Sequence, residues 1–298
     1  YPTLAGSAGV ESVDAAPSHD GGPYPVIVFA HGFQTDPVEY APMLDSWVAA
    51  GFVVVSPIFP DESSQTVAAD GGVSNQTIAD TLESDVYNEP GDIAYVLRQL
   101  ETLRTLTWGS HLDGVLNLSD VGLAGQSDGA DVIAGLTFAP AFQSVYSSLP
   151  LAPKAVAILS GQAWTDLGAS ARPAGTYASS SSSPALLQVQ SDADNCNTPT
   201  EGTSLFTFLQ GGSEAKWFLT LLGADHLAPY EGVSPWAPVV EKVTTDFFEL
   251  ELNWRASALS PASIEAAGNV SRVGQVTTTV NANTVPSVPL IGNCGLPT

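Results

Sequence analysis

The pentapeptide Gly125-Gln126-Ser127-Asp128-Gly129 follows the apolar segment 120–124 directly and is itself followed by the small-residue, helix-forming segment 130–136. A chain with that order of pieces must turn from strand to helix within a few residues. A serine on so sharp a turn presents its Oγ outward only when the residues two before and two after lack bulky side chains. Gly125 and Gly129 meet that demand. The context of the serine is therefore a buried strand, a tight turn and a helix packed on a sheet.

The rest of the chain repeats this rhythm. Residues 25–30 form a continuous apolar run that ends in His31-Gly32-Phe33, the pattern of a central parallel strand opening into a loop. A helical pattern over 37–50 stops at Gly51, before a second apolar strand over 52–57. Helical spacing returns over 91–106 through Ile93, Val96, Leu97, Leu100 and Leu103. Segments 155–159, 185–190 and 217–222 read as further strands, with helices near 200–211 and 235–253. This alternation predicts an α/β fold: a doubly wound, mostly parallel central sheet with helices on both faces and no large cap domain. One domain is expected over residues 1–255, with 256–298 a C-terminal tail packed on it. The serine-rich stretch 178–183 reads as a surface loop.

Charge narrows the choice of partners. The 298 residues include 31 acidic and only 8 basic ones, a net charge of −23 that opposes binding to nucleic acid or anionic lipid. No run approaches the roughly 18 apolar residues a membrane span needs. So few lysines and arginines fit an extracellular, acid-tolerant or salt-adapted protein, and a secreted monomer, its leader removed, is expected. Cys196 and Cys294 are the only cysteines. A disulfide between them is expected, and in the chain-entropy model a loop of that size stabilises by about 4–5 kcal/mol.

A serine hydroxyl is a weak nucleophile at neutral pH and needs a base, usually a histidine oriented by a carboxylate. In a doubly wound sheet these partners follow in the order serine, acid, histidine. Of His19, His31, His111 and His226, only His226 comes after Ser127, just past the strand at 217–222. His31 reads as a structural loop residue. Among the acids between Ser127 and His226, Asp128 and Asp131 belong to the helix after the turn, Glu201 and Glu214 fall in or beside another helix, and Asp225 adjoins the histidine. Asp194 is the acid chosen, with Asp192 in reserve, because both lie in the loop leaving the strand 185–190, at the sheet edge where sites in open α/β folds gather. The oxyanion formed on carbonyl attack needs donors, and the backbone amides of Phe33 and Asp128 are the candidates. Asp192, Asp194 and Asn195 fall short of a calcium loop, so neither metal nor organic cofactor is expected.

Together with residues 25–33, the segment Asn88-Glu89-Pro90-Gly91-Asp92-Ile93 and the segment Leu221-Leu222-Gly223-Ala224-Asp225-His226, this site resembles the α/β-hydrolase superfamily from about residue 25 to 254. The segments look like those of bacterial serine esterases of the dienelactone-hydrolase-like, chlorophyllase-like and cutinase-like polyester-hydrolase kinds. Two departures matter: Ser127 stands where dienelactone hydrolases proper have cysteine, and Gln126-Ser127-Asp128 stands where polyester hydrolases commonly have His-Ser-Met. The resemblance implies a serine carboxylic-ester hydrolase working through an acyl-enzyme on small-molecule, bulky or polymeric esters, polyester and cutin-like ones included. Phe33, Gln126 and Trp164 are candidate walls of its acyl pocket. An amidase or peptidase on the same scaffold, or a binding domain without catalysis, are the alternatives.

Overall fold

A computed structural model describes residues 1–3, 13–71, 81–105, 112–163, 177–180, 182–209 and 214–279. The apolar runs are too continuous to face water on either side, and they assemble as one seven-stranded sheet. Its strands are β1 (Tyr24–Ala30), β2 (Val53–Val55), β3 (Leu116–Gln126), β4 (Ala155–Leu159), β5 (Ala185–Ser191), β6 (Lys216–Leu221) and β7 (Gly274–Thr277). They lie in the order β2-β1-β3-β4-β5-β6-β7, parallel except for β7, which runs antiparallel to β6. The helices include α1 (Ala41–Ala50), α2 (Ser64–Ala69), α3 (Glu89–Thr105), α4 (Asp128–Phe138), α5 (Gln143–Ser147), α6 (Pro199–Phe208), α7 (Ala228–Glu231), α8 (Ala237–Glu251) and α9 (Pro261–Gly268). None is long and apolar enough to cross a membrane.

Successive strand residues point to opposite faces, and each face has its own core. Val26, Val28, Val156 and Ile158 meet Ile93 and Leu97 of α3 and Val132 and Ile133 of α4. On the other face, Ile27, Phe29, Ala157, Leu187 and Val189 meet Trp47 of α1 and Val240, Val243, Phe247 and Phe248 of α8. Gly51 closes α1 with φ 101°, a left-handed conformation that an L side chain resists, and its N–H caps the Trp47 and Val48 carbonyls. The indole of Trp47 donates to Thr244 Oγ1 at 2.9 Å and so ties α1 to α8.

Two stretches differ from the sequence expectation. β3 begins at Leu116, four residues before the apolar segment 120–124, because its first half carries Asn117, Ser119 and Asp120 and pairs with Tyr24 and Pro25 across a bulge. Part of the segment expected as a tail also joins the framework. Ile264 of α9 is fully buried, and β7 pairs with β6 from Phe218↔Thr277 to Leu221↔Gly274. Four residues with only one inward apolar side chain, Val276 between Gln275 and Thr277, give too short a pattern to stand out as a strand.

Because β1, β3, β5 and β6 run the same way, the loops that leave them emerge at one edge of the sheet. These loops begin at His31, Ser127, Asp192 and Leu222 respectively. Topology alone thus collects four candidate segments in one place.

Candidate active site

Ser127 joins β3 to α4 with φ 54° and ψ −126°, a backbone state that costs a non-glycine residue energy and persists only where its surroundings hold it. Those surroundings are specific. Its N–H donates to Leu159 O at 3.0 Å, and its carbonyl accepts from Ala130 N at 2.8 Å and Asp131 N at 3.0 Å. A Cβ on Gly125 would run into the Gly129 carbonyl, and one on Gly129 into the carbonyls of Ala30 and His31. The glycines thus let the turn close and let it pack against the end of β1.

His226 lies in the loop after β6, 3% exposed. Its Nε2 is 2.8 Å from Ser127 Oγ, and its Nδ1 is 3.0 and 2.9 Å from the two carboxylate oxygens of Asp194. With Nδ1–H donating to Asp194, the Nε2 lone pair faces the serine hydroxyl. Asp194 is fully buried, and its carboxylate also accepts from Cys196 N at 2.9 Å and Gln190 Nε2 at 3.3 Å. Asp192 takes a different part: its Oδ1 accepts from Gly223 N at 2.5 Å and so links the β5 and β6 loops. Asp225 folds the histidine loop by accepting from Leu227 N at 3.2 Å and Ala228 N at 2.8 Å. Sγ of Cys196 and ligand atoms of Asp194 and His226 lie within 4.8 Å of one another, but the last two are committed to each other.

Gln126 is fully buried, and its amide faces protein groups. Its Oε1 accepts from the Tyr40 hydroxyl at 2.7 Å, and its Nε2 donates to His226 O at 3.2 Å. The Tyr40 hydroxyl in turn accepts from Gly32 N at 3.3 Å and lies 3.1 Å from Thr35 Oγ1. A chain of contacts therefore runs from the loop after β1, through Tyr40 and Gln126, to the backbone of the histidine. His31 is also internal: its Nε2 accepts from Phe59 N at 2.9 Å and its Nδ1 is 2.9 Å from Gly32 O. Burial pushes its pKa down, which keeps that pair of bonds made by the neutral ring.

In the loop after β1, Gln34 N donates to Glu62 O and Thr35 N to Gly32 O, whereas the Phe33 and Asp128 amides have no acceptor among the described residues. Both residues line a cleft of about 430 Å³ that opens over Ser127 and His226. Trp164 and Cys294 lie outside the described residues.

Sequence reasoning missed the acids around this cleft. Glu62, Glu89 and Asp131 are fully buried and Asp128 is 5% exposed. Burial above all, then neighbouring carboxylates, pushes each of the four well above the ordinary carboxylate range, Glu89 to about 9. On the opposite wall, burial followed by the charge of Glu39 pushes Glu231 up to about 7, with His226 opposing. The signal in the sequence is faint, since acids in polar loop segments ordinarily face water. The sequence matches no protein-family model and no curated protein.

Proposed function

We propose that the chain is a serine hydrolase of the α/β-hydrolase superfamily that cleaves carboxylic esters through an acyl-enzyme. One observation carries this reading: an unbroken hydrogen-bonded line from Ser127 Oγ through both ring nitrogens of His226 to the buried carboxylate of Asp194. The strained serine turn adds support, because a backbone cost of this kind is maintained where it presents a reactive group.

In this mechanism Ser127 Oγ attacks the ester carbonyl carbon while His226 Nε2 takes the hydroxyl proton. Asp194 holds the ring in the productive tautomer and stabilises the imidazolium. The negative oxygen of the tetrahedral intermediate accepts from the Phe33 and Asp128 amides, donors that need no rearrangement when the charge forms. His226 then passes its proton to the departing alcohol as the C–O bond breaks, leaving the acyl group on Ser127. Water deprotonated by the same nitrogen attacks the acyl-enzyme and returns the serine.

Labelling with a fluorophosphonate, followed by mapping of the modified peptide, tests the nucleophile. The expected result is modification at Ser127 and its loss in Ser127→Ala. Hydrolysis of matched p-nitrophenyl ester and p-nitroanilide substrates tests the leaving group, with the ester faster beyond its intrinsic reactivity. Absence of labelling at Ser127 would overturn the proposal.

A further inference from the structure

The cleft over Ser127 is unusual in its charge. Glu39, Glu83, Asp128 and Glu231 line it, and no lysine or arginine does so among the described residues. They form two groups. Glu231 feels Glu39 and His226 on one wall, and Asp128 feels Glu83 on the other. Phe33, Leu227 and Cys196 are the lining residues with apolar side chains.

A second, independent observation concerns acceptors without donors. Asp128 Oδ2, Gln162 Oε1 and Gln34 Oε1 all belong to residues lining the cleft, are shielded from solvent and have no hydrogen-bond partner among the described residues. Asp128 and Gln162 are each only 5% exposed. Gln162 cannot gain by flipping its amide, because its Nε2 donates to Asn197 Oδ1 at 2.8 Å. Buried acceptors left in this state cost free energy that a donor supplied from the cleft recovers. A positive charge there is also attracted by Glu39 on one wall and Glu83 on the other, and by Glu231 once it ionises.

Building on the ester-hydrolase reading, we infer that the cleft selects esters whose acyl part carries a protonated amine, and disfavours esters that carry a carboxylate. The ammonium supplies N–H donors to the orphaned acceptors and charge to the acidic walls, whereas an alkyl group supplies neither and a carboxylate is repelled by both.

The test is a charge series of p-nitrophenyl esters at two chain lengths: β-alanyl, butanoyl and succinyl, then 6-aminohexanoyl, heptanoyl and adipoyl. Each kcat/KM is divided by the rate constant for hydroxide hydrolysis of the same ester, which removes intrinsic reactivity. At one length or both, the ammonium ester is expected to exceed its neutral isostere by about tenfold or more, with the carboxylate ester about tenfold or more below it. Glu231→Gln is expected to lower the ammonium-to-neutral ratio severalfold, and Glu231→Lys to reverse the order; the ratio does not depend on how much of a variant folds. Ratios within threefold of one for the unaltered protein at both lengths would overturn the inference while leaving ester hydrolysis intact. If none of the six esters is turned over and Ser127 resists the fluorophosphonate, it is the hydrolase reading that fails.

Discussion

Glu62 and Glu89 act on one another beside Asp128, both fully buried and with no hydrogen-bond donor to their carboxyl oxygens among the described residues. Two carboxyls buried together in this way hold a proton rather than both ionise. Folding therefore takes up protons wherever the same carboxyls would be ionised in the unfolded chain. For Glu89 that window runs from its ordinary 4.5 up to about 9. The stability this proton provides is fully present below the window and is lost as the pH rises through it. We expect the melting temperature to fall from about pH 5 to about pH 9, by an amount corresponding to a few kcal/mol. In Glu89→Gln, where an amide donates without needing a proton, the fall should be clearly smaller. Parallel melting profiles of the two proteins would show that the pair does not hold the proton.

Asp194 and Asp192 stand two residues apart in one loop, yet only the first reaches the imidazole. Asp194→Asn should lower kcat about 10⁴-fold by favouring the wrong histidine tautomer. Asp192→Asn keeps an acceptor for Gly223 N and should stay within about threefold of the unaltered kcat/KM. Steady-state kinetics on a p-nitrophenyl ester decides between them, and equal losses would remove the distinction.

Gln126 connects Tyr40 to the backbone of His226. Without that amide the imidazole is less firmly aimed, so Gln126→Ala should reduce kcat about 10- to 100-fold with a smaller change in KM. Tyr40→Phe removes the hydroxyl that bridges Gln126, Gly32 and Thr35, and should cost about 1–2 kcal/mol of stability. Denaturant melts and kcat measured on both variants separate aiming from folding. If Gln126→Ala shifted KM alone, the side chain would belong to the substrate's surroundings.

The two glycines flanking Ser127 are steric requirements. Gly129→Ala would push a methyl group into the carbonyls at the end of β1, and Gly125→Ala would push one into the Gly129 carbonyl. Both variants should lose several kcal/mol and accumulate as insoluble protein. A soluble, active Gly129→Ala would mean that the turn relaxes more readily than its packing implies.

The sequence made some parts of this molecule legible, for reasons tied to particular residues. Ser127 stands out because a sharp turn imposes glycines at fixed offsets, and His226 because no other histidine follows it. The apolar strands are legible because they are buried on both faces. Asp194 could not be separated from Asp192 by position, since the decision lies in which carboxylate meets Gly223 N and which meets the ring. The contact of Tyr40 with Gln126 spans 86 positions and leaves no local pattern. Glu62 and Glu89 mislead outright, because carboxyls in polar surroundings are normally solvated, whereas here the fold keeps them dry.

The pairing of β7 with β6 bears on the order in which the site is put together. Leu222, the first residue of the histidine loop, is fixed from the far side by Leu222 N donating to Val273 O at 2.8 Å, and by Trp236 Nε1 donating to Leu222 O at 2.9 Å. The backbone of Ser127, by contrast, is held by hydrogen bonds to residues before 160. During synthesis the serine turn can thus be shaped before its base is locked in register, and on the hydrolase reading the growing chain stays unreactive until β7 docks. A version ended at Asn269 should be poorly reactive towards fluorophosphonates even where its first strands are folded, and undiminished labelling would show that β7 is dispensable to the base.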